Sequence, residues 1–294
     1  MTPEPEGSDG TVITRRTGVA VRCMNVVQIY TTAGGHDVVA LRGVNLDISP
    51  GEQVALLGPS GSGKSTLLSL FGGVLRPSAG KVLVDGQDIS RIAERDLGRL
   101  RSGKVASLLQ GASRNLLPYA SPVDNVEFAR LALPASARRR LPGARELLDQ
   151  LGMGDLADRP LTAMSGGERQ RIAFAATVSS GAGLLLADEP TSQLAHDDRD
   201  AILELIHLVN AEFGTTVVLV THDPEVAAQM PRSITIRNGR IGAEGRHGFD
   251  FGVVDEDGAV HIPEELAVRF PAGTLVQFEQ AEDGVLLRPV EERD

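Results

Sequence analysis

Three short stretches of this chain carry residue types suited to phosphate chemistry. The run Gly58-Pro59-Ser60-Gly61-Ser62-Gly63-Lys64-Ser65-Thr66 has the spacing G-x-x-x-x-G-K-[ST]. Its glycines let the backbone wrap a phosphate closely, and successive N–H groups at a helix start then face negative charge. Lys64 is placed to reach β- and γ-phosphates, and Ser65 to ligate Mg2+. The second run, Leu184-Leu185-Leu186-Ala187-Asp188-Glu189-Pro190-Thr191, delivers two carboxylates to the end of an apolar strand, where α/β sheets bind ligands. Asp188 suits a metal-holding role. Glu189, one residue later, points elsewhere and suits a general base acting on water. Taken alone, two such acids read equally well as solvated loop carboxylates; the phosphate loop upstream favours the chemical reading. The third run is Met164-Ser165-Gly166-Gly167-Glu168-Arg169-Gln170-Arg171. Ser165 and Glu168 have capping-box spacing. Gly166 and Gly167 at a helix start also allow close approach to a phosphate, and the two readings are compatible.

Elements of the right kind surround these runs. Val54–Leu57 reads as a buried strand and Lys64–Phe71 as the start of a helix. Val105–Leu109, Leu184–Ala187 and Thr216–Thr221 read as further strands. Alternation of such runs with helical patterns implies a largely parallel sheet, and the fold class is α/β. The stretch from about 112 to 165 looks like a helical insertion, with helical spacing clearest in Ala144-Arg145-Glu146-Leu147-Leu148. Residues 1–19 read as a flexible leader, 20–245 as one large domain, and Gly242–Gly248 as a glycine-rich hinge. Residues 248–294 read as a small β-rich domain with turns at Asp257-Gly258 and Asp283-Gly284.

Composition narrows the partners. The 294 residues carry a net charge of −10. From Arg246 to Asp294 there are 4 basic residues against 12 acidic ones, a balance of −8, which leaves −2 for the rest. Neither part has the basic surface that nucleic acid rewards, and the chain has no Trp for base stacking, so no nucleic acid is expected as a partner. No apolar run approaches the ~18 residues of a membrane-spanning helix. Met1–Gly10 is acidic and rich in Pro and Gly, with no apolar core, so a secretory signal is not expected. A single cysteine, Cys23, permits no internal disulfide and fits a reducing compartment; it reads as a small buried hydrophobe.

In their order along the chain, the three runs resemble the ATP-binding cassette (ABC) ATPases over roughly Ala20 to Gly245. The resemblance implies a RecA-like core with an antiparallel β subdomain. It implies ATP and Mg2+ as ligands and ATP hydrolysis as the reaction. It also implies a head-to-tail dimer in which Ser165, Gly166, Gly167 and Glu168 of one copy close over ATP held by the other. Residue by residue, Tyr30 matches the aromatic that stacks on adenine. Gln110 matches the glutamine that senses Mg2+ and the attacking water, and His222 the switch histidine at the γ-phosphate. Singly, these three also read as a packed Tyr, a strand-end polar residue and a cap for Asp223-Pro224. One departure stands out: Ala195 occupies the place of a family Asp that couples the two sites, and Asp197 and Asp198 are out of register with it.

The segments Asn115-Leu116-Leu117-Pro118 and Ser121-Pro122-Val123-Asp124-Asn125-Val126 resemble the lipoprotein-releasing and macrolide-export branch. There this surface receives a separate integral membrane permease, which implies a cytoplasmic protein held at the inner face of the membrane. The alternative is a soluble ABC ATPase with a regulatory or nucleic-acid-related role. The tail, Val253 to Val290, resembles AbrB-like swapped-hairpin domains through Asp257-Gly258-Ala259-Val260-His261-Ile262-Pro263-Glu264-Glu265-Leu266 and Leu286-Leu287-Arg288-Pro289. A short helix opened by Pro263 belongs to that resemblance; the other reading is an unrelated β extension.

Overall fold

A computed structural model describes residues 18–32, 34–246, 249–254, 258, 260, 262, 268–271, 274–281 and 284–290. Residues 1–17 of the leader expected over 1–19, the helix opened by Pro263, and Asp257 and Asp283 lie outside the described residues, while Val19 is buried in the core rather than part of a leader. The chain begins with two long strands, β1 (Val21–Thr31) and β2 (Asp37–Ile48), followed by β3 (Gln53–Leu57) and α1 (Lys64–Phe71). Then come β4 (Ala79–Val84), β5 (Gln87–Asp88), α2 (Glu94–Gly103) and β6 (Val105–Leu108). Short helices α3 (Pro122–Ala129), α4 (Ala135–Arg138) and α5 (Ala144–Gln150) precede α6 (Gly166–Val178). The second half holds β7 (Leu184–Asp188), α7 (His196–Phe213), β8 (Thr216–Val220), α8 (Pro224–Ala228), β9 (Arg232–Arg237), β10 (Arg240–Arg246) and β11 (Phe249–Gly252). The hairpin β12 (Val276–Ala281) and β13 (Gly284–Pro289) follows.

The central sheet has seven strands in the order β11-β10-β9-β3-β8-β7-β6. The five from β9 to β6 are parallel; β10 and β11 are antiparallel additions. Its inner strands β3, β8 and β7 are mainly apolar because both faces are covered. In β8, Val217 and Leu219 enter one core with α5, α6 and α7 residues, while Val218 and Val220 enter the other with α1. That second core also takes in a four-stranded antiparallel sheet, β2-β1-β4-β5. The segment between β6 and α6 holds α3, α4 and α5 and packs on the first core through Leu116, Val126, Leu147 and Leu148.

Of the glycines expected to form a hinge, Gly248 lies outside the described residues and the other two lie within a strand. Gly242 and Gly245 belong to β10, which pairs with β9 on one side and β11 on the other. The register shifts between Ile241 and Ala243, so Gly242 sits at a bulge rather than at a joint. In the tail, β12 and β13 form a two-stranded sheet of their own, with Phe278 opposite Leu287 and Arg288 within 3.2 Å of Glu279.

Candidate nucleotide site

Four chemistry-bearing segments leave the sheet at the same edge, the C-terminal ends of parallel strands. The glycine loop follows β3, Gln110 follows β6, Asp188 and Glu189 end β7, and His222 follows β8. Because these strands are neighbours in the sheet, the segments stand in one row.

The loop needs glycine at two points for steric reasons. A Cβ on Gly58 would fall 2.1 Å from the Ile236 carbonyl oxygen. Gly63 has φ 106, and a Cβ there would meet the Ala40 carbonyl at 2.7 Å. Gly63 is also the N-cap of α1, so Lys64, Ser65 and Thr66 form the first turn of that helix. The loop folds on itself through Ser62 N–H to the Pro59 carbonyl, and Gly239 N–H donates to the Ser62 carbonyl. The Lys64 ammonium crosses the loop and donates to the Gly58 and Pro59 carbonyls at 2.6 and 2.9 Å. Burial pulls the Lys64 pKa down; the charges of Glu189 and Asp188 oppose that shift.

Around this loop lies a cleft of about 590 Å³. It is lined by Tyr30, Ser60, Gly61, Gly63, Lys64, Ser65, Thr66, Gln110, Asp188, Glu189 and His222, together with Ala40 and Val220. Ser65 Oγ donates to Asp188 at 3.2 Å, and the Tyr30 hydroxyl donates to Thr66 Oγ1 at 3.2 Å. Glu189 holds the left-handed backbone conformation, φ 48, while its N–H donates to the Val220 carbonyl at 3.0 Å. Its carboxylate meets His222 Nδ1, 2.8 Å distant. An ionised carboxylate only accepts, so Nδ1 carries the proton and Nε2 remains for another partner.

Ser60, Gly61 and Gly63 to Thr66 thus line the cleft, while Gly58, Pro59 and Ser62 shape the loop behind it. Ala40 and Val220 were not singled out from sequence, having no polar atom to mark them. Ser165, Gly166, Gly167 and Glu168 do not line this cleft. They open α6, with Ser165 as N-cap: its hydroxyl accepts from Glu168 N–H at 3.0 Å, and Glu168 accepts from Ser165 N–H at 2.6 Å. Arg159 also donates to Glu168 at 2.9 Å. The two glycines differ. A Cβ on Gly166 would meet nothing within 4 Å, whereas one on Gly167 would strike the Asp198 carboxylate at 1.9 Å. Asp198 pairs with Arg171 at 2.8 Å, so it is already committed.

A hydroxyl, a carboxylate and a carboxamide at the mouth of a phosphate loop are hard oxygen ligands. They suit Mg2+, which takes one or two protein carboxylates and completes its shell with phosphate oxygens and water.

The fold and cleft define a phosphate-loop nucleotide-binding cassette. The family model described as ABC transporter matches residues 41–192, and the chain belongs to that family. It is 41% identical over 214 residues to the lipoprotein-releasing system ATP-binding protein LolD 2 of Caulobacter vibrioides, covering 73% of this chain and 92% of that one. It is 41% identical over 210 residues to the macrolide export ATP-binding/permease protein MacB 1/2 of Paracoccus denitrificans, covering 71% of this chain and 31% of that larger protein. A solved ATP-binding cassette, dimeric and bound to ADP and Pi in a post-hydrolysis state, matches with a TM-score of 0.67 at 33% identity. The match covers 78% of this chain and 100% of that one. As a member of the family, the protein is an ATP-binding ATPase. No helix among the described residues is long and apolar enough to cross a membrane.

Proposed function

We propose that this chain is the ATP-hydrolysing subunit of a membrane transporter or mechanotransmission complex, driving a separate permease. The observation that carries the reading is the division of the expected site. Lys64, Ser65, Gln110, Asp188, Glu189 and His222 line one cleft, whereas the Ser165–Glu168 segment lies outside it. A cleft so divided is completed when the Ser165 segment of a second copy closes over it, head to tail, with two ATP molecules between the copies. The dimeric cassette with ADP and Pi and the ATP-binding/permease relative both support this reading.

In it, Tyr30 stacks on adenine, and the loop amides and Lys64 hold the β- and γ-phosphates. Asp188, Ser65 and Gln110 would hold Mg2+, which when bound would neutralise charge on the phosphate oxygens. Glu189 takes a proton from the attacking water, and His222, held by Glu189, turns Nε2 toward the γ-phosphate. The permease contacts the face after Gln110, where Tyr119 is 85% exposed. That contact keeps the protein at the inner face of the cell membrane. The division expected at about 245 falls within β10, so the proposal sets the acidic AbrB-like tail, which binds no nucleic acid, after β11.

The test uses the Glu189→Gln variant. With ATP and Mg2+ it is expected to accumulate as a dimer on size exclusion, and Ser165→Arg in the same chain to prevent this. A Glu189→Gln protein that stays monomeric at saturating ATP would overturn the closing scheme. Purified from membranes, the variant is expected to bring an integral membrane protein with it, and Tyr119→Glu to lose that companion.

A further inference from the structure

Asn115 does for Leu109 what a neighbouring strand would do. Its Oδ1 accepts from the Leu109 N–H at 2.9 Å, and its Nδ2 donates to the Leu109 carbonyl at 2.7 Å. Nδ2 also donates to the Gly111 carbonyl at 2.9 Å. Leu109 directly follows β6, the edge strand of the central sheet. The two residues bound by this one carboxamide flank Gln110, which lines the nucleotide cleft. Gly111 turns the chain sharply with φ 83.

A second asparagine anchors the next step. Asn125 on α3 is 3% exposed. It accepts from the Leu117 N–H at 2.7 Å and donates to the Leu117, Ala120 and Ser121 carbonyls at 3.3, 3.4 and 3.0 Å. Between the two, Leu116 is buried in the core that holds Leu108 and Val126. Asn115 therefore works from a fixed base, and what it fixes in turn is the backbone on either side of Gln110.

We propose that Asn115 is a positioning residue for Gln110, setting its carboxamide against Ser65 and Asp188; this rests on the role given to Gln110 above. The bonded groups of Leu109 and Gly111 are on an exposed stretch of chain, where water can replace the lost partners. Removing Asn115 thus costs the fold little and costs the site its alignment. A misplacement of about 1 Å at a reacting centre can lower a rate by about 10²-fold.

The experiment is a double-mutant cycle on steady-state ATP hydrolysis with Asn115→Ala, Gln110→Ala and the double variant, with Asn115→Asp as the milder change. Thermal unfolding is followed alongside. Asn115→Ala is expected to lower kcat by about 10-fold or more, with little change in KM for ATP or in the unfolding midpoint. Asn115→Asp, which keeps the acceptor for Leu109 N–H and loses both donors, is expected to fall between. In the Gln110→Ala background, Asn115→Ala is expected to add nothing. Losses that multiply in the double variant, or an unchanged kcat in Asn115→Ala, overturn the proposal. Wild-type kcat in Gln110→Ala alone removes the role of Gln110 itself, and the positioning of it falls with that separate result.

Discussion

His222 Nδ1 lies 2.8 Å from a carboxylate oxygen of Glu189, joining the ends of two adjacent strands at the cleft. The pair exists because Glu189 adopts φ 48, a conformation that costs a non-glycine residue about 1–2 kcal/mol. Strain of this kind persists where the surroundings enforce it, here through the Glu189 N–H bond to Val220. Glu189→Gln is expected to lower the hydrolysis rate by about 10²–10⁴. His222→Ala is expected to lower it too, but the double variant should lose less than the product of the two. Rates measured under single turnover decide this; fully multiplicative losses would mean the two residues act independently.

Lys64 links loop shape to phosphate binding, since its ammonium holds the Gly58 and Pro59 carbonyls. Lys64→Ala removes a charged hydrogen-bond donor, a loss of about 1.5–3 kcal/mol. ATP affinity by calorimetry is expected to drop by about 10- to 100-fold. Unchanged affinity would contradict its place in ground-state binding.

The cap of α6 is acid-sensitive in a defined direction. The Ser165 amide, followed by Arg159, holds the Glu168 carboxyl below the usual carboxylate range. A carboxyl depressed in the folded state stabilises the fold above its unfolded pKa, and that contribution is lost as pH falls through the lower folded value. The stability difference between wild type and Glu168→Gln is therefore expected to be greatest near neutrality and to shrink in acid. Denaturant unfolding at several pH values reads it, and a difference that grows in acid would reverse the assignment.

Ala195 is the N-cap of α7 and has no side-chain acceptor for the first-turn N–H groups. Ala195→Asp supplies one, and a good N-cap contributes about 1 kcal/mol over Ala. Asp197 and Asp198 in the same turn oppose part of that gain. The variant is expected to unfold at higher denaturant. It is also expected to change the Hill slope for ATP while leaving affinity alone. Identical unfolding and binding curves would make the position inert.

The central strands were legible because each is buried on both faces and so reads as an unbroken apolar run. The helix expected to start at Lys64 does so in the structure, since Gly63 marks its start sterically. The strand β10 was missed because Gly242 and Gly245 look like breakers when read alone. The signal was present upstream: Asn238-Gly239, with φ 50 and 77, is an Asn-Gly hairpin turn joining β9 to β10. The place of Gly167 under Asp198 was not legible, because it depends on how α6 meets α7. The hold of Asn115 on Leu109 leaves no periodic trace either, since one carboxamide bonding local backbone has no repeat to detect.

The pairing of β11 with β10 has a practical side. Without residues 249–252, β10 becomes the outermost strand, and a row of its backbone groups opens to solvent on the side away from β9. Exposed rows of this kind recruit strands from other molecules. Phe249–Gly252 thus serve the cassette as selvage, the woven margin that keeps a cloth from fraying. A cut placed at the apparent hinge would trim it away, and a cut after Gly252 would keep it.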